Sequence, residues 1–142
     1  MKNKNARTAK NEKKSLTEMQ RLGLAAENLA ACYLKNKGAQ VLARRWRSSA
    51  GELDLVILYE EIKTIVFVEV KALRSETHHY AQENVTRAKQ SKIAKSANLW
   101  RQSYAKDCYT YRFDVISLLL ERGKPPRLRH FQDAFSSMYF IY

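Results

Sequence analysis

Acidic residues interrupt two apolar segments of the chain in the alternating pattern of a β-strand. Residues 51–56 read Gly-Glu-Leu-Asp-Leu-Val, and residues 66–71 read Val-Phe-Val-Glu-Val-Lys. Because successive side chains of a strand point to opposite faces, the acids and the lysine should share one face. We expect Glu52, Asp54, Glu69 and Lys71 on that polar face, and Leu53, Leu55, Ile57, Val66, Val68 and Val70 on the other.

The two segments are close enough in the sequence to form a hairpin. If Asp54 stands opposite Glu69, then Glu52 stands opposite Lys71 and the turn falls near residues 61–62. This register brings three carboxylates and one ammonium group together on one face of the sheet. Such a group is costly to bury without a partner, and a bound divalent cation would offset that cost.

Two further segments have the residue spacing of amphipathic helices. In the first, Ser15 and Glu18 match a capping box, and Gly38 is expected to end the helix. In the second, Asn84 is the expected N-cap of a helix that carries basic residues around its apolar positions. Those apolar positions are Val85, Ile93, Ala97, Trp100 and Tyr104.

Three more strands are predicted, at residues 40–47, 110–120 and 127–132. The resulting order is α-β-β-β-α-β-β, which indicates an α/β protein with a mixed β-sheet flanked by helices. Residues 72–84 are polar and predict a mobile loop.

The charge of the chain points to a polyanionic partner. Lys and Arg total 26 against 14 Asp and Glu, which gives a net charge of +12. Nucleic acid is the first partner to expect and an acidic membrane surface the second, while a basic protein that binds nothing in particular is the alternative. Residues 1–14 hold six Lys or Arg and one acid, so we predict a disordered basic arm followed by one domain, residues 15–142.

The remaining composition favours the cytoplasm. Cys32 and Cys108 are too few for a disulfide framework and are expected to be buried in a reduced compartment. No apolar run approaches the ~20 residues that span a bilayer, and the N-terminus has no apolar segment typical of a secretory signal. No membrane partner is therefore expected.

The acidic strands and the basic segments together suggest chemistry on phosphates. Asp54 and Glu69 are the oxygen ligands that Mg²⁺ prefers, and Lys71 adds positive charge beside them. A solvated strand face with a surface ion pair is the plain alternative. Positive charge for a phosphate backbone is offered by Arg44, Arg45 and Arg47, and by Lys89 and Lys92 on the second helix. Trp46 offers a surface on which a base could stack.

Three motifs in this order resemble the YraN family of uncharacterised bacterial proteins: the segment 51–56, Phe-Val-Glu-Val-Lys at 67–71 and Arg-Phe-Asp-Val at 112–115. The resemblance covers about residues 20–135 and includes Gly23 and Glu27 of the first helix. That family looks like a member of the PD-(D/E)XK nuclease superfamily and is similar to archaeal Holliday junction resolvases. The resemblance implies the restriction-endonuclease-like (tRNA-endonuclease-like) fold.

The resemblance also implies roles for single residues. Asp54 and Glu69 would bind Mg²⁺ or Mn²⁺, and Glu27 would reach the same metal from the first helix. Lys71 would orient the attacking water or stabilise charge in the transition state. Lys89 is the helix residue expected near the site. Leu53 stands where the superfamily usually has a proline before the acid.

Three classes of function follow from these features. The first is a metal-dependent endonuclease on DNA, with DNA favoured over RNA and branched DNA as a candidate substrate. The second is a nucleic-acid-binding module with a nuclease-like fold and no turnover, and the third is a protein-interaction domain. A homodimer would suit the resemblance to resolvases. Two roles stay open: Glu52 as a supporting acid or a partner of Lys71, and Asp114 as a loop cap or a tether for Arg112.

Overall fold

A computed structural model describes residues 15–75, 85–104 and 108–140, which form two helices and five strands. The helices are α1 (Glu18–Asn36) and α2 (Arg87–Tyr104). The strands are β1 (Gln40–Ser48), β2 (Gly51–Tyr59), β3 (Thr64–Leu73), β4 (Thr110–Leu119) and β5 (Arg127–Phe131). The predicted order of elements is confirmed.

The five strands form one mixed sheet in the order β1-β2-β3-β4-β5. Neighbouring strands are antiparallel except for β3 and β4, which run parallel and are joined by the crossover that contains α2. The mixed sheet and its two helices confirm the predicted α/β class and are consistent with a restriction-endonuclease-like fold.

Each face of the sheet is covered by one helix. The α1 face buries Ala26, Ala30, Ala31 and Leu34 of the helix against Leu55, Ile57, Val66, Val68, Ile116 and Leu118 of the strands. The α2 face buries Ile93, Ala94, Ala97 and Trp100 against Val56, Leu58, Ile65, Phe67, Phe113 and Val115. The central strands are apolar on both faces, as strands covered on both sides must be.

The N-terminus of each helix is capped by a threonine, not by the residue that the sequence predicted. Thr17 caps α1, and it forms a capping box with Gln20. The predicted box of Ser15 and Glu18 is therefore wrong by two residues. Thr86 accepts the Lys89 N–H at the start of α2, and Asn84 lies outside the described residues. Gly38, with φ +89°, follows the end of α1 as predicted.

The β2–β3 hairpin has the predicted register. Its pairs run from Leu55–Val68 to Tyr59–Thr64, and the same register extended by one residue puts Asp54 opposite Glu69. The turn is a short 3₁₀ helix, Glu60–Ile62, closed by Lys63 at φ +47°. The ladder begins at Leu55–Val68, so the predicted cross-strand pair of Glu52 with Lys71 is wrong.

The alternation of β2 is interrupted at Asp54. Leu53 belongs to the α2 face with Val56 and Leu58, whereas the simple alternation predicted it on the α1 face with Leu55 and Ile57. The neighbouring strand changes face at the same level, because Arg45 has φ +47° and Trp46 packs on the α2 face. A second irregularity, between Val41 and Ala43, shifts the register of β1.

Some predictions outside the sheet are corrected or fall beyond the described residues. Cys32 and Cys108 are exposed rather than buried, since Cys32 points away from the apolar stripe of α1 and Cys108 lies in a turn. Tyr104 is 61% exposed, although its ring contacts Trp100. The basic arm and residues 76–84 of the predicted loop lie outside the described residues, whereas Ala72 and Leu73 are still part of β3.

The aromatic C-terminus packs mainly against the α2 face. Phe140 is buried there, Phe131 and Phe135 pack against the same cluster, and Tyr139 is half exposed. Among the described residues, no helix is long and apolar enough to cross a membrane.

Candidate functional site

The candidate site lies where β2 and β3 separate. Beyond the Leu55–Val68 pair, the Asp54 carboxylate accepts a hydrogen bond from the Val70 N–H at 2.8 Å. The Asp54 side chain therefore accepts a backbone N–H of β3 in the place of a backbone carbonyl group of a neighbouring strand. This bond fixes the carboxylate between the two strands, at the point where the sheet opens.

Four carboxylates meet at this point. One oxygen each from Glu27, Glu52 and Asp54 lies within 4.8 Å of the other two. Glu69 joins from β3, where it is 5% exposed and in hydrogen-bonding contact with the Asp54 carboxyl group. The arrangement brings together Asp54, Glu69 and Glu27, which the resemblance had grouped, and it adds Glu52.

Burial and neighbouring charges raise the pKa of two of these acids, Asp54 and Glu27. Burial, followed by the negative charge of Glu69, raises the pKa of Asp54 to about 8. Burial also raises the pKa of Glu27, with Arg45 working in the opposite direction. The protonated form of Asp54 is therefore favoured as the site stands, and a cation bound there would favour its ionised form.

Basic side chains surround the acids. Lys71 Nζ lies 3.4 Å and Lys89 Nζ 3.6 Å from the same oxygen, Glu69 Oε1. On the other side, Arg47 Nε lies 3.0 Å from Glu52 Oε2. Lys71 thus pairs with Glu69 on its own strand, and Glu52 pairs with arginines of β1.

Arg45 is the second arginine on Glu52. Its Nε lies 3.7 Å from Glu52 Oε1 and 3.5 Å from Glu27 Oε2. Arg45 and Arg47 were predicted as phosphate contacts, so their pairing with the acids was missed by the sequence prediction. Nothing in the sequence Arg44-Arg45-Trp46-Arg47 indicates that Arg45 has a positive φ.

The other predicted phosphate contacts lie around the site. Arg44 donates to Asn28 Oδ1 at 3.1 Å, and Lys92 is exposed on α2. The helix approaches the β1–β2 turn closely: a Cβ on Gly51, which has φ +147°, would lie 3.5 Å from Ser96 Oγ. Lys89 and Lys92 are three residues apart in α2 and so extend from the acids along one side of the helix.

A second polar network, on the α1 face, involves the buried Asp114. Its carboxylate accepts from Arg112 Nε at 2.7 Å, Arg112 Nη2 at 2.9 Å and the Asp133 N–H at 2.9 Å, with His130 Nε2 at 2.7 Å. Burial opposes ionisation, but the bonds from His130 and Arg112 lower the pKa of Asp114 overall. Asp114 thus fills both of its open roles, because it tethers Arg112 and caps the loop that follows β5.

The donor set of the first site fits a hard divalent cation. Every acidic ligand offers oxygen, and Glu27, Glu52 and Asp54 are close enough to share one ion. Burial first, and the negative charge of Glu69 second, raise the pKa of Asp54, and a cation bound at the site would offset both effects. No cluster of His and Cys suited to zinc occurs within the described ranges.

The fold and the site define a mixed α/β protein with an acid-and-lysine cluster at the opening of its central hairpin. Residues 26–118 match the family described as Uncharacterised protein family UPF0102, and the chain belongs to that family. This confirms the resemblance to YraN proteins.

Relatives at similar distance come from several bacteria, and each is named as a UPF0102 protein. The protein of Pelotomaculum thermopropionicum is 40% identical over 115 residues, which cover 80% of this chain and 94% of the relative. That of Rhodococcus opacus is 38% identical over 114 residues, covering 80% and 95%. That of Bifidobacterium longum subsp. infantis is 39% identical over 125 residues, covering 86% and 98%.

Proposed function

We propose that this protein is a metal-dependent endonuclease that hydrolyses phosphodiester bonds in DNA, with branched DNA as a candidate substrate, in the cytoplasm. The observation that supports it best is the cluster itself: Asp54 and Glu69 in contact, Glu27 and Glu52 beside them, and Lys71 3.4 Å from Glu69. This is an oxygen-ligand site with a fixed positive charge at its edge.

In this proposal Asp54, Glu69 and Glu27 would hold Mg²⁺ or Mn²⁺, and Glu52, whose oxygen lies within 4.8 Å of those of Glu27 and Asp54, would offer a further oxygen. Such a cation, when bound, orients and activates water and stabilises the leaving oxygen. Hydrolysis joins the water oxygen to phosphorus, breaks the bond to the leaving sugar oxygen and passes a proton to that oxygen. Lys71 places its ammonium group where negative charge develops on the phosphate.

Basic residues outside the cluster would hold the phosphate backbone. Lys89 links the cluster to α2, and Lys92 is exposed three residues further along the helix. Arg44, Arg45 and Arg47 lie on the first strand, on the other side of the acids. A nucleic acid that lies across the opening of the hairpin would therefore meet positive charge on both sides of the acids.

A binding module without turnover is the second candidate, and the ion pairing of the site favours it. Four carboxylates face four basic side chains, Lys71, Lys89, Arg45 and Arg47, so the cluster can be neutral without a metal. Incubation with labelled linear, flapped and four-way DNA and with RNA, in Mg²⁺, Mn²⁺ or EDTA, separates the two. Metal-dependent cleavage supports the nuclease, whereas binding without cleavage on every substrate, with metal bound, supports the module.

Replacing Lys71 by alanine should abolish detectable cleavage and leave nucleic-acid binding nearly intact. The ammonium group acts on charge that appears in the transition state, so the loss should fall on rate, by about 10²–10³-fold. Single-turnover cleavage beside a binding isotherm measures both effects. Lys92→Ala is the matched control and should weaken binding more than rate. An equal loss of rate and binding in Lys71→Ala would make Lys71 a phosphate contact instead.

Binding to nucleic acid should weaken steeply with salt, and residues 1–14 should account for part of the slope. The net charge is +12, and that segment holds six Lys or Arg and one acid. Each neutralised phosphate contributes about 0.9 to the slope of log affinity against log salt on duplex DNA. A protein that begins at Ser15 should show a shallower slope than the full chain. An affinity of the full chain that does not respond to salt would contradict the prediction.

A further inference from the structure

The Arg45 guanidinium lies between two of the carboxylates that could hold a cation. It is 3.5 Å from Glu27 and 3.7 Å from Glu52, and these acids belong to the group whose oxygens lie within 4.8 Å of one another. Arg45 therefore contacts two of the three members of that group. Its charge offsets part of their mutual repulsion.

The backbone of Arg45 shows that this placement is a specific feature of the strand. Arg45 has φ +47° in the middle of β1, a left-handed conformation that is unfavourable for any residue with a Cβ. At the same level of the sheet, the regular alternation of side chains in β2 is interrupted at Asp54. The two irregularities together put the Arg45 side chain and the Asp54 carboxylate at the same site.

We propose that Arg45 is the resident counter-ion of this cluster and competes with a divalent cation for Glu27 and Glu52. The proposal rests on the proposed function, because it requires the metal site. A divalent cation binds only by displacing the guanidinium from these oxygens. A monovalent ion would exchange one positive charge for another and gain little, so Arg45 makes the site selective for divalent cations.

Displacement gives the guanidinium a second use. The Arg45 side chain is 44% exposed and lies beside the site. Once it leaves the acids, its planar group of donors is free to bind a phosphate of the nucleic acid, a role for which arginine is well suited. Metal binding and phosphate binding would then support each other through one side chain.

The test is the affinity for Mn²⁺ of Arg45→Asn, measured by the electron paramagnetic resonance signal of free Mn²⁺ at constant ionic strength. Asparagine tolerates positive φ, so the strand is preserved. Loss of two partly exposed ion pairs should tighten Mn²⁺ binding by roughly three- to tenfold. Arg44→Asn removes the same charge one residue away, where the side chain contacts the neutral Asn28, and it should change the affinity much less.

Each outcome separates the inference from the proposed function. Equal Mn²⁺ affinity in the unmodified protein and Arg45→Asn, or the same gain in Arg44→Asn, would overturn the counter-ion role while leaving the metal site in place. Mn²⁺ binding by neither the unmodified protein nor Arg45→Asn would overturn both proposals. Urea unfolding of each variant confirms that it is folded.

Discussion

Replacing Asp54 by asparagine should abolish divalent-cation binding and, in the absence of metal, stabilise the protein at pH 8. The pKa of this carboxyl group is raised from 3.8 to about 8 by burial and by Glu69. Between these values the folded state holds a proton that the unfolded chain has lost, so the free energy of unfolding falls as pH rises through this interval. Asparagine removes the penalty and can still accept the Val70 N–H.

The stabilisation should be about 1–3 kcal/mol at pH 8 and much smaller near pH 4, where the unfolded chain also begins to bind the proton that the folded state holds. Urea unfolding in EDTA at the two pH values measures it, and calorimetry with Mg²⁺ and Mn²⁺ measures metal binding. Glu61→Gln, in the exposed turn after β2, is the control and should change neither quantity. Unchanged metal affinity in Asp54→Asn would exclude Asp54 as a ligand, and a loss of stability at pH 8 would contradict the raised pKa.

Replacing Asp114 by alanine should lower the free energy of unfolding by about 3–5 kcal/mol, as expected when one partner of a buried ion pair is removed. Asp114 is fully buried. Its loss leaves Arg112 and His130 without their carboxylate and releases the Asp133 N–H. Because the pKa of Asp114 is lowered, its contribution is present at neutral pH and is lost as pH falls below the ordinary range of an aspartate.

Urea unfolding at pH 7 measures the effect. Glu121→Ala is the matched control, because Glu121 also contacts two basic side chains, Lys124 and Arg127, but at the surface. It should cost far less than Asp114→Ala. Similar losses in the two variants would show that the buried network contributes no more than an exposed one.

The order of elements and the hairpin register were predictable because they depend on local alternation. β3 contains a run of β-branched residues, and the acids of β2 and β3 stand at fixed spacing. One pairing register of the two strands satisfies this pattern and keeps the apolar residues inside. Within the site, that register brought Asp54 and Glu69 together, and the resemblance added Glu27. The position of Lys89 near Glu69 agrees with the prediction.

The rest of the site could not be predicted because it depends on backbone irregularities. A simple alternation put Leu53 on the α1 face and paired Glu52 with Lys71. The positive φ of Arg45 and the divergence of β2 from β3 bring Glu52 to the arginines of β1 instead. Neither feature has a marker in the sequence, since no glycine or proline stands at 45 or 54. The contact between Asp114 and His130 joins two strands and two residues that are 16 apart in the sequence. It can be predicted only when the β4–β5 register is known.

The irregular first strand also affects how the molecule meets its own copies. β1 is at one edge of the sheet, and a regular edge strand is a template for pairing with another chain. The register shift between Val41 and Ala43 and the turned backbone of Arg45 break the row of peptide groups that such pairing would use. Three arginines on the same strand add like-charge repulsion between copies. Aggregation through this edge is therefore disfavoured, and a homodimer would have to form through a different surface.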